Sequence, residues 1–405
     1  MDEMDKLKVT LIGTYPPPYG GVSVHIQRLQ DFLLNKGFQC IVIDFSSSLK
    51  NAKNVINARK IKNLRHIQNA SGGIIHIHSS GINLKKIMAF FLLSVLCKIR
   101  RNKLIITFHS FRDQVERFDW LKKIMLKTFS KFPSHYIAVS PLIKNKLLSL
   151  NIDPNKISVI PGFLPPTTKQ RDIYEIPQKI WNFIDNHWPV ISANGVRISF
   201  YNNQDLYGID MCIDLCNKLR DIYTQIGFIF CLSDIGDHNY FNKIRQTITE
   251  KGIADNFLFV TRSCQFYPIL MKSDVFVRPT NTDGDAVSVR EALYFKIPTV
   301  ASDVVPRPEG VILFKNRDIN NFTLKVEDLL HDYTWHKKRL EKVKVDDNFQ
   351  EIMGLYEHLN GHAETFIRKE DRTKRIFGAK TQHGNTAKKL SSIYKMRAPL
   401  HKEDS

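Results

Sequence analysis

Short apolar runs alternate with helical stretches along most of this chain, in two sets. The first set is Val9 to Ile12, Cys40 to Asp44, Ile74 to Ile77, Leu104 to Phe108, Tyr136 to Val139 and Ser158 to Ile160. A Pro-rich connector, Pro161-Gly162-Phe163-Leu164-Pro165-Pro166, interrupts it. The second set is Val190 to Ala193, Gly227 to Leu232, Phe257 to Val260, Val275 to Val277 and Thr299 to Ala301. Runs that are apolar without alternation are buried on both faces, which is the situation of strands in a parallel sheet covered by helices. No repeat of fixed period relates the halves. The expected fold is α/β with two Rossmann-like domains, 1–165 and 166–335. A length of 405 residues suits that division, and 43% hydrophobic with 24% charged residues allows two real cores and excludes a globally disordered chain.

Within the second set, Arg278 to Asp303 (RPTNTDGDAVSVREALYFKIPTVASD) carries the clearest chemical pattern. A strand end leads through a polar turn into a helix that Pro298 ends, and a further strand follows. Two carboxylates, Asp283 and Glu291, stand eight positions apart. The amides of Asp285 to Ser288 open from the helix start together with the positive end of its dipole, a geometry that holds phosphate. Glu291, two turns in, is placed to accept from ribose hydroxyls. An ordinary crossover with solvated carboxylates fits the same spacing.

Two further places stand out. Gly20-Gly21 follows Tyr15-Pro16-Pro17-Pro18 between the first strand and first helix, where glycine lets backbone approach a ligand or simply turns the chain, with Ser23 as the expected helix N-cap. His109 ends the run Ile105-Ile106-Thr107-Phe108, at the strand edge where open α/β sheets bind ligands; a packing role is the alternative. His76 and His78 share one face of a strand but show no third ligand, so no metal site is assigned to them.

The Glu291-Ala292-Leu293, Pro298 and Ala301-Ser302-Asp303 pattern, with the Pro-rich Gly-Gly loop, resembles retaining nucleotide-sugar glycosyltransferases of glycosyltransferase family 4, which have the GT-B fold. The resemblance implies two domains facing across a cleft, a last helix crossing back to the first domain at 336–360, and no metal or other cofactor. It implies that Asp283 and the backbone of Gly284, Asp285 and Ala286 hold the donor sugar. Val287 and Ser288 amides would hold the diphosphate and Glu291 the ribose, while His109 orients the sugar and the Gly20-Gly21 loop closes the cleft. Transfer would occur on the face of the leaving group, without a protein nucleophile. The chain departs from the family in having Asp283 for Glu, Lys296 for a small residue, and Tyr207 for a Lys early in the second domain. Arg197, Arg262 and Arg290 are the candidates for the diphosphate's cation. A nucleotide-sugar epimerase, or a non-catalytic basic protein binding membrane or nucleic acid, are the alternatives.

The net charge of +19 implies an anionic partner, whether lipid headgroups, nucleic acid or a phosphorylated substrate, and composition does not choose among them. Leu84 to Arg101 has an apolar centre, Ile87 to Cys97, whose eleven residues fall short of the roughly 20 that span a bilayer. With its basic ends, and with the apolar-basic stretch Trp120 to Lys127, it suits an interfacial helix on an anionic membrane, or a helix buried on the sheet. The resemblance implies a nucleotide-sugar donor and a glycan or lipid-linked acceptor in bacterial surface polysaccharide or lipopolysaccharide synthesis as partners, and the basic and apolar stretches add an anionic membrane surface. No nucleic acid is expected, since aromatic and basic residues do not interleave as stacking sites require. The six scattered cysteines form no C-x-x-C pair and read as inert thiols. The acidic start MDEMDKLKVTLIG shows no secretory signal, so a cytoplasmic location, peripheral on the inner face of the cell membrane, is expected. From Gly361 to Ser405 a basic, mobile tail is expected.

Overall fold

The computed structural model describes residues 7–45, 52–58, 72–81, 84–110, 120–345 and 347–361. The tail expected at 361–405 lies, apart from Gly361, outside the described residues. In the first domain the strands are β1 (Lys8–Gly13), β2 (Gln39–Asp44), β3 (Val55–Asn57), β4 (Ile74–Ser80), β5 (Lys103–Ser110), β6 (His135–Ala138) and β7 (Ile157–Val159). They form one sheet in the order β3-β2-β1-β4-β5-β6-β7, with every described pairing parallel. In the second domain β8 (Val190–Gly195), β11 (Gly227–Leu232), β12 (Phe257–Val260), β13 (Val275–Arg278), β14 (Thr299–Ser302) and β15 (Ile312–Phe314) form a parallel sheet ordered β12-β11-β8-β13-β14-β15. A small antiparallel hairpin, β9 (Phe200–Tyr201) with β10 (Gln204–Asp205), stands apart.

The apolar runs are where the physics of burial puts them. All six residues of β11 are buried, and Phe228 stacks on Phe257 of the neighbouring strand at 4.9 Å. In the first domain Ile106, Phe108, Ile143 and Leu147 share one core cluster under the helices. The strands that sequence patterning does not reveal, β3, β15 and the hairpin, are two or three residues long and only partly buried.

Two expectations are corrected. The first helix starts at Gly21, with Gly20 as its N-cap, and Ser23 sits inside the first turn: its Oγ accepts from Gly20 N at 2.9 Å and donates to Pro18 O at 2.8 Å. The single crossover helix expected at 336–360 is instead two helices, Tyr333–Glu341 and Phe349–Leu359. The break has a local cause. Lys296, at the position of the family's small residue, adopts φ +59°, the left-handed conformation that glycine takes easily, and its Nζ donates to Val343 O at 2.6 Å. Val343 N donates to Leu340 O at 3.1 Å in the turn that ends the first of these helices, and Asp347 accepts from Phe349 N at 3.1 Å to start the last helix. The chain has by then returned to the first domain, since Asn348 donates to Phe163 O at 2.8 Å and Phe349 stacks on Phe32 at 4.7 Å.

Replacing Phe228 by Ala should lower the stability of the second domain by about 3–5 kcal/mol, because a fully buried ring leaves a cavity between two strands. A urea unfolding midpoint within error of the parent would refute the packing described.

Candidate functional site

In each parallel sheet the strand order reverses once, between β1 and β4 in the first domain and between β8 and β13 in the second. Loops leaving such a point diverge and open a crevice beyond the strand ends. The two crevices meet in one cleft, lined from the first domain by Tyr19 to Val22, Ser80 and His109 and from the second by Asn194 to Val196, Arg278 and Asp283 to Ser288. The approach is tight. A Cβ on Gly20 would stand 2.8 Å from Val196, and one on Gly284 would stand 2.6 Å from the His109 carbonyl. The Gly-Gly loop is also tied across the cleft, with Tyr19 N donating to Ser263 Oγ at 3.3 Å and Ser233 Oγ to Tyr19 O at 2.5 Å.

The helix after β13 is Val287–Tyr294, N-capped by Ala286 with no side-chain cap. Its first amides are therefore left to whatever occupies the cleft, which Ala286, Val287 and Ser288 all line. One turn further in, Glu291 is buried and ion-paired with Arg28 of the first helix, whose Nη1 also donates to Leu164 O at 2.8 Å. Arg28 escaped the sequence reading because nothing in its surroundings in the chain distinguishes it from a solvated helix residue.

Asp283 and Asp285 diverge in role. Asp283 Oδ2 accepts from Arg278 Nε at 3.2 Å, Arg307 Nη1 at 3.0 Å and Thr280 Oγ1 at 3.2 Å. Burial alone would raise its pKa, but the two guanidinium groups outweigh burial and hold the carboxyl well below the usual range, so it stays ionised. Asp285 is held by Arg290 Nε at 2.7 and 2.9 Å and accepts from Gly162 N at 3.2 Å. Here burial dominates and the pKa is raised.

Of the three candidate cations, Arg262 lines the cleft. Arg290 is committed to Asp285 and is not among the lining residues. Arg197 is corrected: β8 ends at Gly195, Val196 faces the cleft, and the next side chain turns outward to pair with Asp234 at 2.6 Å. The cation that sequence reasoning missed is Arg278. It lines the cleft, its Nη1 donates to Asn194 O at 2.8 Å, and its guanidinium lies 5.3 Å from the Tyr207 ring centroid. Tyr207, standing where the family has Lys, thus serves as a wall for an arginine from another strand.

His109 lies at the cleft floor with its Nε2 3.1 Å from His78 Nδ1. His25 packs edge-on to it, ring centroids 4.8 Å apart, and gives Nδ1 to Gly162 O at 2.7 Å. Burial lowers the pKa of all three rings, to about 4 for His25, so they are neutral.

Comparison with known proteins gives the class. The profile of Glycosyltransferase Family 4 matches residues 19–167, and that of Glycosyl transferases group 1 matches residues 200–332. A search of curated proteins found no match. Among solved structures, a glycosyltransferase from Rickettsia africae superposes with a TM-score of 0.61 at 16% identity, covering 88% of this chain and 99% of that one. Anabaena HepE in complex with UDP and glucose superposes at 0.59 with 14% identity, covering 90% and 100%. Sucrose-phosphate synthase from Thermosynechococcus elongatus does so at 0.53 with 15% identity, covering 93% and 100%. The fold is GT-B, and the chain is a glycosyltransferase of that type, which selects among the readings the sequence left open.

Two outcomes follow from this geometry. Arg28→Met should destabilise the protein by about 3–5 kcal/mol, since it leaves a buried carboxylate unpaired, whereas adding Glu291→Gln should recover part of the loss. Strict additivity in urea unfolding would refute the pairing. Asp205, which accepts from Tyr207 N at 2.9 Å and Ile209 N at 3.0 Å, has its pKa raised to about 6, chiefly by burial and then by Asp210. A raised carboxyl stabilises the fold fully below its unfolded pKa, and that contribution is lost as pH rises through the folded value. Relative to Asp205→Asn, the parent should lose on the order of 3 kcal/mol between about pH 4 and pH 6. A stability difference that stays flat across that window would remove the assignment.

Proposed function

We propose that the protein is a retaining hexosyltransferase that moves a sugar from a nucleotide-diphosphate sugar to a glycan acceptor carried on lipid, in bacterial surface polysaccharide synthesis. The observation that carries the donor reading is the convergence, at the two switch points, of an uncapped helix N-terminus, a buried carboxylate and a fixed arginine. The amides of Val287 and Ser288 receive the diphosphate, and the free oxygen of Glu291 accepts from the ribose. Arg278, with Arg262 at the rim, balances the charge that grows on the leaving phosphate. Fixed dipoles and cations of this kind lower a barrier because they need no reorganisation as charge develops. Asp283 and the backbone of Gly284 to Ala286 hold the sugar, with His109 across from them. The bond from the anomeric carbon to the diphosphate oxygen breaks as the acceptor hydroxyl attacks from the same face, and the acceptor's proton passes to the departing phosphate. No step calls on a metal ion.

The complexes of HepE with UDP and with UDP-glucose support the donor class. The acceptor reading rests on the first domain's outer face. The helix Leu84–Ile99 buries Ile87 and Cys97 yet leaves Leu92 and Ile99 exposed, at 63% and 71%. The neighbouring helix, joined to it by Phe91 on Phe129 at 4.4 Å, exposes Trp120 and Ile124. Exposed Lys85, Lys98, Arg100, Arg101 and Lys127 surround this apolar ground. Apolar side chains amid cations suit the headgroup region of an anionic bilayer, where a lipid-carried acceptor is presented at the inner face. No described helix is long and apolar enough to cross a membrane.

A panel of nucleotide sugars with purified protein tests the donor reading. Glu291→Ala and His109→Ala should lower turnover by orders of magnitude, and Arg278→Met by about 10²–10³-fold, with partial recovery in Arg278→Lys. Full activity in all three folded variants would overturn it. Binding to vesicles containing anionic lipid should weaken with salt and in a Leu92→Ser, Ile124→Ser double variant, and equal binding to neutral vesicles would refute the surface reading.

A further inference from the structure

Under the cleft floor the first domain gathers histidines from three separate elements: His25 from the first helix, His76 and His78 from β4, and His109 from β5. The sequence shows His76 and His78 without a third ligand. The fold supplies it by other means, because His25 and His109 both close on His78. One ring nitrogen from each of His25, His78 and His109 lies within 4.8 Å of the others. The His78 and His109 nitrogens are already 3.1 Å apart. Two imidazole nitrogens on one tetrahedral zinc ion, at about 2.0–2.1 Å each, stand about 3.4 Å from one another.

The hydrogen bonds around the cluster fit this use. The 2.7 Å contact to Gly162 O fixes the proton of His25 on Nδ1, so Nε2 presents a lone pair. That is the outer contact by which a metal-binding imidazole is usually oriented. His25 Nε2 is buried without a hydrogen-bond partner, in a ring only 2% exposed. Buried polar atoms in native folds have partners, so this lone pair asks for one that no protein group provides.

We propose that His25, His78 and His109 form a binding site for a single borderline-soft divalent cation, with zinc as the fitting occupant and a water molecule as its fourth ligand. Three neutral nitrogens and no carboxylate suit zinc and disfavour magnesium or calcium, which require oxygen. Arg28, three positions along the helix from His25, is neutralised by Glu291, so an entering cation does not meet a free positive charge there. Occupation ties up the ring of His109. On the glycosyl-transfer reading, the cation then competes with the donor sugar and lowers turnover. That consequence rests on the reading, whereas the binding does not.

Calorimetric titration of the full-length protein with zinc chloride should show one tight equivalent, with magnesium chloride showing none. Cobalt chloride should give the visible absorption of tetrahedral coordination, and crystals soaked in zinc should show an anomalous peak among the three rings. His25→Gln and His78→Gln, checked for folding by circular dichroism, should each bind zinc at least about tenfold more weakly, the lower bound for disturbing even an outer-sphere partner. An anomalous map with no peak at the cluster, or a peak only at a surface histidine, overturns the site, and this holds even should both variants misfold. Unchanged affinity in both folded variants overturns it as well. Zinc that binds at the cluster without lowering donor turnover upholds the site and counts instead against the role given to His109.

Discussion

The buried pair of Arg28 and Glu291 is the contact on which the cleft depends. Taking two charges out of water costs several kcal/mol per ion, and their mutual attraction offsets this only where the remaining hydrogen-bonding capacity is also met. Arg28 meets it by donating to Leu164 O in the connector between domains. A single guanidinium therefore binds the first helix, the Pro-rich connector and the helix Val287–Tyr294 together. The stabilisation is conditional on the approach of the two domains, so the pair registers their closure. It also leaves Glu291 lining the cleft in a fixed geometry, which on the proposed reading is what recognition of a diol demands.

A second cluster adjusts the charge of the cleft. Asp283 carries one negative charge and is held between Arg278 and Arg307, so this group sums to −1 + 2, or +1. Asp285 and Arg290 cancel. The cleft is thus left with a fixed positive charge beside an open helix N-terminus, although the family's lysine is absent. The shorter Asp283 is suited to this arrangement: its Oδ2 is gathered by three donors, from β13, the following turn and Arg307. The departure at 283 and the departure at 207 then look like one change. An arginine from β13, braced by the aspartate and set against the tyrosine, takes on the proposed reading the place of a lysine from elsewhere.

What the chain discloses in advance follows from the range of the forces involved. Continuous apolar runs such as Phe228 to Leu232 report burial locally, so the order of strands and the place of the second domain's helix start were legible. Ser23 was misjudged by a local rule: its Oγ accepts from Gly20 N and donates to Pro18 O inside the first turn, so Gly20 takes the cap. The cations were hardest. Arg197, Arg278 and Arg28 look alike in sequence, and only register decides them: two steps past Gly195 points outward, the last position of β13 lines the cleft, and a helix face 263 positions from Glu291 happens to meet it.

The histidine cluster shows the same principle with an opposite sign. Arg28 and Glu291 satisfy one another across the cleft, whereas His25, His78 and His109, which also come from separate elements, crowd together and leave nitrogens unsatisfied. Packing alone gives no reason to put uncompensated imidazoles at such a place, since apolar side chains of the same volume would fill it without the desolvation. The cost is tolerable where the nitrogens are intermittently bonded. Within this cleft the candidates for that bond are a sugar hydroxyl reaching His109 from above and a cation settling among the three rings from within, and the two cannot share His109 at once. The floor of the cleft is accordingly the point at which donor chemistry and metal chemistry would exclude each other, while a diphosphate held, on the proposed reading, by amides and Arg278 in the second domain would be indifferent to which of them is present.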